Sequence, residues 1–513
     1  MKRLQKESAR GKAAGQHPRT RADLFGTAAM ILLLAVSLVL FIRLMASRLL
    51  TTKYLLLIMA ALLVLNAAHV FVQYPLRRNK LGKLICGGVA VVLSAGMLWA
   101  MVGVGSVQSA ISRITGKTVE TNVIAVVVRD EDPARELADT AGYIFGYVED
   151  LDRENIDSTL EHIGKELGGA VDTRSSDGLA ALVDDLYDGS VGAIVVNTGL
   201  FSGLEEQEGY ADLSERTRVI YEYTITREVV VPPNDASVTE PFVVYCSGID
   251  ARSSDITARG NGDVNILAVV NPSTHEILLL NTPRDYYVAL HMNGRMDKLT
   301  HAAVYGIDES MNTLDDLYGI DTPYYIRVNF NGLVDIVDAV GGVDVESPKA
   351  FTTRVMQIPN GDGTGYDRRA FSFPAGTIHL TGREALAFSR ERYAFADGDN
   401  QRGKNQMAVI KGIVNKIISP SILSNYQSLL KAVSGSMLTN ISYDEVTALV
   451  QAQQRDMRGW HVTSYAVSGT PASDYCYSYS GIPLYVTRQD PSSVETAREL
   501  IRQVLDGETP VVP

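Results

Sequence analysis

The chain has 513 residues, with 47 Lys and Arg against 59 Asp and Glu and a formal net charge of −12 at pH 7. That length calls for at least two folded units. Up to Lys117 sixteen bases face only two acids, Glu7 and Asp23, whereas the remainder holds 31 bases and 57 acids. So acidic a remainder argues against general nucleic-acid binding, which needs cations to displace phosphate counterions.

In chain order, residues 1–23 form a basic tail with Lys2, Arg3, Lys6, Arg10, Lys12, Arg19 and Arg21. Residues 24–105 hold three apolar runs, 24–46, 54–74 and 81–105, each near the roughly 20 residues that cross a bilayer. No small-residue cleavage site follows a short apolar stretch, so a removable signal peptide is not expected. The link between the second and third runs carries Arg77, Arg78, Lys80 and Lys83. With the basic tail, it predicts a cytoplasmic N-terminus and an extracellular remainder.

Residues 119–231 read as a small α/β accessory unit. "NVIAVVV" and "SVGAIVVNTG" suit strands, while "ELADTAGYIFGYV" and "GLAALVDDLYDG" show helical spacing. Residues 232–241 are a linker by composition, rich in proline and small polar residues. From 242 to 507, ahead of a short tail at 508–513, strands alternate with helices. "FVVYCSGID", "DVNILAVVN", "EILLLNTP" and "YYIRVNF" are strand candidates. Helices are expected near 308–317, 332–339, 382–392, 405–418, 443–457 and 492–506, which together predict a three-layer α/β domain with a mixed sheet. The three cysteines show no zinc spacing; Cys86 reads as a core residue, and Cys246 and Cys476 are either a disulfide or two buried thiols.

Charged residues in this last domain gather where strands and helices end: Asp250, then Arg259 and Asp263, then Arg284 and Asp285, then Arg390 and Arg392, then Asp399, Arg402 and Gln406. Ligands of α/β folds sit outside strand ends. Several guanidinium groups there could neutralise a pyrophosphate diester bidentately. Carboxylates beside so many arginines make sense if Mg²⁺ bridges carboxylate and phosphate. For any one arginine a structural ion pair is the simpler account; five coinciding segments weaken that account. His301 on a helix reads as packed or hydrogen-bonded, Lys298 is left open between a phosphate and the adjacent Asp297, and "GGV" at 341–343 reads as a turn. The Tyr-rich "SDYCYSYSG" reads as an edge strand.

These segments resemble the LytR-CpsA-Psr family. The likeness rests on "SGID", "GDVNILAVVNPSTHEILLLNTPRDYYV", "DKLTHAAVYG", "YYIRVNFNGLVDIVDAVGGVDV", "GTIHLTGREALAFSRERY" and "GDNQRGKNQ", in that family's order. It is close over about 242–425 and looser to about 506. The resemblance implies a membrane-bound, Mg²⁺-dependent phosphotransferase that moves a glycopolymer from polyprenyl (undecaprenyl) pyrophosphate to peptidoglycan. Arg284 matches the arginine of the "PRD" motif, Arg390 and Arg392 its R-x-R pair, and Arg402 and Gln406 further pyrophosphate ligands. Asp263 and Asp250 match two aspartates near the metal, with Asp250 either a ligand or the base, and Asp399 matches an acid supporting Arg402. Asn261 and Asn405 stand where many members have arginine, and Arg259 is the residue that could cover the first loss. A hydrolase releasing the polymer, or a lipid-pyrophosphate receptor, would use the same ligands.

Overall fold

A computed structural model describes residues 21–73, 80–115, 119–205, 207–229, 237–249, 256–360, 365–396, 398–419, 429, 432, 436–456 and 458–513, the side chains of Ser202, Asp399 and Asp456 excepted. The chain divides into two compact units, Met1–Ser109 and Ala110–Pro513.

The first unit is helical. Helices α1 (Arg21–Ala46), α2 (Thr52–Gln73) and α3 (Lys80–Ile114) are each long and apolar enough to cross a membrane. The third outruns its expected end at 105 because residues 106–114 contain no proline or glycine to stop it. Small and polar groups face inward: Ala29 and Ala90 pack with Leu33, and Asn66 Nδ2 donates to Ser37 Oγ at 3.0 Å. Ile31, Leu34, Leu63, Phe71, Val92 and Trp99 face outward. Small residues inside and large apolar ones outside is the pattern of helices solvated by lipid, and such a surface would be unfavourable in water. Most of the expected orienting cations, in residues 1–19 and 77–78, lie outside the described residues.

The second unit begins with a five-stranded sheet of order β3-β2-β4-β1-β5, made of β1 (Val119–Arg129), β2 (Ile144–Val148), β3 (Asp172–Ser176), β4 (Ala193–Val196) and β5 (Thr217–Glu228). Helices α4 (Arg153–Glu166) and α5 (Leu179–Asp188) cover its two faces, α4 against Ile124, Val126 and Val128 and α5 against Ala125 and Val127. The helix expected across "ELADTAGYIFGYV" is absent. The segment makes one 3₁₀ turn, Leu137–Thr140, and then the strand β2. Gly142, at φ 85°, stops helical winding, and Phe145 and Tyr147 bury themselves in a pairing with β3 and β4. Sheet pairing overrides the helical spacing here.

The six-stranded sheet that follows has order β10-β9-β6-β7-β8-β11, with β6 (Phe242–Ile249), β7 (Gly262–Asn271), β8 (Glu276–Asn281), β9 (Tyr324–Asn329), β10 (Met437–Thr439) and β11 (His461–Ala466). Strand β6 runs parallel to β9 and β8 parallel to β11, and the other pairs are antiparallel. Both faces are apolar because alternate side chains of β7 point opposite ways. Leu267 and Val269 meet α6 (Ile307–Tyr318) and α11 (Pro491–Leu505) on one side. On the other, Ile266 meets α9 (Asp399–Ile417), while Val244 and Tyr324 meet α10 (Tyr443–Asp456). Two more helices, α7 (Phe330–Ala339) and α8 (Gly382–Arg390), pack together beyond the end of β9. This is the three-layer mixed α/β fold expected from the sequence.

The five-stranded sheet shares a core with segments of the main domain outside the six-stranded sheet. Val127, Leu182 and Leu186 pack in one cluster with Leu290, Ala302, Cys476, Tyr479 and Leu484. The Tyr-rich segment lies in a hairpin, Gly469–Cys476 with Tyr479–Gln489, whose Tyr479 is fully buried in this cluster on the accessory sheet's side. Cys246 and Cys476 are free thiols in different cores, and no disulfide joins them.

Candidate anion-binding site

The strand ends converge at one edge of the main sheet. Asn281 closes β8, and Pro283 turns the chain so that Arg284 projects from the strand terminus. Its Nη1 donates to Asp263 Oδ1 of β7 at 2.6 Å, and its Nε lies 3.6 Å from Asp285 Oδ2. Lys298 Nζ holds the other oxygen of Asp285 at 3.1 Å, with both side chains almost fully buried. Arg284 is thus fixed by carboxylates on two sides and remains partly exposed. Asp285 and Lys298 form a supporting pair that the sequence reading left uncommitted. Lys298 does not take the adjacent Asp297: the two are consecutive residues of one short strand and point to opposite sides. Asp297 instead accepts from Ser478 N at 2.9 Å and binds His301 Nδ1 at 2.6 Å. Burial pushes that carboxyl up, but His301 and Ser478 outweigh burial and hold it below the usual range. His301 is a buried structural partner.

Helix α9 brings the second group. Its N-cap, Gly398, has φ 52°, and its first turns carry Arg402 and Gln406 four residues apart on one face. Gln406 Nε2 reaches the Asp263 carbonyl at 3.5 Å. Unpaired amides and the positive dipole end of such a helix favour an anion. Close approach depends on Gly403, where a Cβ would overlap the buried Asn281 side chain. Gly403→Ala should therefore raise the KM for an anionic ligand about tenfold while barely changing the melting temperature. A helix-propensity gain of about 1 kcal/mol offsets the packing cost, and a raised KM accompanied by a clearly lowered melting temperature would disprove the positional role.

The R-x-R pair ends α8, whose start is fixed by a Thr381–Glu384 capping box. Arg390 stacks on Phe330 at 4.4 Å and donates from Nη1 to the Gln357 carbonyl at 3.0 Å. Arg392 Nη2 donates to the Tyr393 hydroxyl at 2.8 Å. Asn405, 2 % exposed, donates to the Phe388 carbonyl at 3.1 Å and so ties the last turn of α8 to α9. That contact explains an amide at a position where an arginine was anticipated: the site is buried and needs a short donor.

Arg259 does not join these residues. Its guanidinium, 4 % exposed, lies 3.4 Å from Glu120 Oε2 of β1, and Arg327 Nη2 of β9 lies 2.6 Å from Glu120 Oε1. Asn261 also faces β4's end, donating to the Gly199 carbonyl at 3.3 Å. The loop before Asp263 is thus clasped by the accessory sheet, reinforced by Thr121–Thr257 and Arg259–Thr121 backbone bonds of 2.9 Å. Asp250 lies outside the described residues, as does the side chain of Asp399. Among the described residues no cluster of three metal-ligating side chains forms.

A sequence model of the LytR_cpsA_psr family matches residues 208–490, more than half the chain. The chain belongs to this family. Its curated relatives include a polyisoprenyl-teichoic acid–peptidoglycan teichoic acid transferase TagU of Enterococcus faecalis, 36 % identical over 46 % of this chain and 73 % of the relative. The TagU of Bacillus anthracis is 35 % identical over 41 % of this chain and 64 % of its own length. Among solved structures, B. subtilis TagV aligns at 25 % identity and a TM-score of 0.42, covering 53 % of this chain and 99 % of that one. The match at 208 begins inside the accessory sheet, ahead of the boundary expected at 242.

Proposed function

We propose that this chain moves a glycopolymer from a polyprenyl pyrophosphate carrier to peptidoglycan; TagU relatives are named polyisoprenyl-teichoic acid–peptidoglycan teichoic acid transferases. One observation carries the proposal: Arg284 is clamped by Asp263 and Asp285 at the end of β8, beside the N-terminal turns of α9. Arg284, Arg390, Arg392, Arg402 and Gln406 hold the pyrophosphate, whose two negative charges need several cations. An acceptor hydroxyl attacks the phosphorus bearing the first sugar. A new P–O bond forms to the acceptor, the bridging P–O bond breaks, and lipid phosphate leaves with the displaced electron pair. The acceptor proton passes to Asp250 or to solvent. Positioning and charge neutralisation supply the acceleration, as is general for phosphoryl transfer.

Mg²⁺ fits this residue set. Arg284 takes one oxygen of Asp263, leaving the second for a hard cation that keeps much of its water and takes substrate phosphates. Asp263 and Asp250 would hold it, and when bound it would neutralise developing charge on the phosphates. The three apolar helices would place enzyme and lipid substrate in one membrane, with the α/β unit on the outer side.

The full chain, purified in detergent, tests this with a lipid-pyrophosphate glycan, with and without peptidoglycan fragments. Lipid phosphate release that depends on acceptor supports transfer, and acceptor-independent release means hydrolysis. Asp263→Ala should cut release at least about 100-fold and abolish its sensitivity to chelator. Retention of both features in that variant would refute the assignment.

A further inference from the structure

On the α9 side of the main sheet, packing is tight along one half of β11 and open along the other. Val462 meets Met407, Ile410 and Val414 of the helix in one apolar cluster. Alternate residues of a strand share a face, so the next positions on that side are Ser464 and Ala466, whose side chains are too short to fill the same space. A cavity of about 390 Å³ lies there, bounded on the helix side by Lys404, Met407, Ala408 and Lys411. Those four are three and four residues apart and form one stripe of α9. Tyr465 turns its ring away, to Ser493 on the opposite face of the sheet.

Three features of the cavity point to an acidic peptide. Lys404 and Lys411 are exposed at its rim in a domain that is otherwise strongly acidic, and Lys411 has no carboxylate partner among the described residues. Ser464 is half-buried, and among the described residues its hydroxyl makes no hydrogen bond. Strand β11 is the last of its sheet, so alternate main-chain donors and acceptors face outward, the arrangement that extended peptides pair with.

The cavity adjoins the anion-binding site. Ala466 is paired with Asn281 across the two parallel strands, and Val467 N donates to the Asn281 carbonyl at 3.1 Å. Asn281 is also the residue against which Gly403 packs. Arg402 and Gln406 lie on one flank of α9. Lys404 and Lys411 lie on the other, about 10 Å away, the width of a helix with its side chains.

We propose that this groove docks the acidic peptide arm of the acceptor, with Lys404 and Lys411 on its carboxylates and Ser464 and the outer edge of β11 on its amides. It rests on the transferase reading, because the acceptor must reach the phosphorus beside Arg284. A peptidoglycan strand carries its hydroxyls and its peptide arms on different parts of the sugar. One sugar can therefore put its hydroxyl on the anion flank of α9 and its arm on the lysine flank. The groove would make this chain select peptide-bearing strands over bare glycan. That selection would weaken with salt, since exposed charges are screened.

The full chain in detergent, saturated with a lipid-pyrophosphate glycan, tests this with two acceptors: peptidoglycan fragments bearing their peptides, and the same fragments after an amidase has removed them. Wild type should show a KM about fivefold lower for the peptide-bearing acceptor, the sum of two exposed charge contacts. Lys404→Gln combined with Lys411→Gln should erase that difference and leave kcat and the KM for bare glycan within about twofold. Ser464→Leu, which fills the groove without altering charge, should erase it as well. Equal KM values for the two acceptors in wild type would overturn the groove. So would a preference retained in either variant, or an equal loss on both acceptors in the lysine variant. Binding of the peptide-bearing fragment is measured in parallel without donor. Lysine-dependent binding with no transfer would fault the transferase reading and sustain the groove, and transfer that ignores the peptide would do the reverse.

Discussion

Glu120→Ala should destabilise the α/β unit by about 3–5 kcal/mol, the cost of removing one partner from a buried ion pair. The carboxylate is 2 % exposed and meets Arg327 at 2.6 Å and Arg259 at 3.4 Å, with Arg227 at 3.9 Å. The Ile307 amide also donates to it at 3.1 Å. Alanine would leave two nearly inaccessible guanidinium groups without their shared anion. Burial pushes the Glu120 carboxyl up, but the arginines outweigh burial and hold it below the usual carboxylate range. A carboxyl depressed in the folded state stabilises above its unfolded pKa of about 4.3, and that stabilisation fades as pH falls through the folded value. Denaturant unfolding of wild type and variant should thus differ most at pH 6–8, begin to converge below pH about 4 and continue converging as pH falls through the lower folded value. A pH-independent difference would show that packing, not charge, explains the loss. Hydrogen exchange should quicken first in residues 256–261, which bond to β1 and lead to Asp263.

Arg284→Ala should lower transfer about 100- to 1,000-fold, the range for removing one preorganised donor aimed at developing charge. Lysine should not rescue it. Arg284 faces Asp263 and Asp285 with different nitrogens of one planar fork, and an ammonium cannot occupy both directions. Asp285→Asn is the informative companion. It leaves Arg284 in place but removes the anion shared with buried Lys298, so kcat should fall about tenfold with little change in KM for the acceptor. Single-turnover kinetics with labelled donor would measure both. If Arg284→Lys matched wild type, bidentate geometry would be irrelevant and a point charge would suffice.

The departures from the family pattern have structural causes that lie far away in sequence. Asn261 stands where many members have arginine, and Arg259, which also precedes Asp263, looks like a candidate for the phosphate site. Both turn instead to the accessory sheet, one to Gly199 and the other to Glu120. Nothing near Glu120 in the sequence marks it as a partner, since 139 residues separate it from Arg259. Likewise the helical rhythm of 136–148 is genuine, yet β2 forms because its neighbours β3 and β4 satisfy its backbone.

The three apolar helices, the strand and helix order of the main domain, and the arginines at strand and helix ends follow from the sequence alone. Periodicity and turn residues are local properties, and apolar length is a direct match to bilayer thickness. Tertiary structure alone decided which cations share a site. Lys298 chose Asp285 over adjacent Asp297, and Glu120 claimed Arg259, because the choice depends on where a strand points its side chains and on which charge is buried beside it.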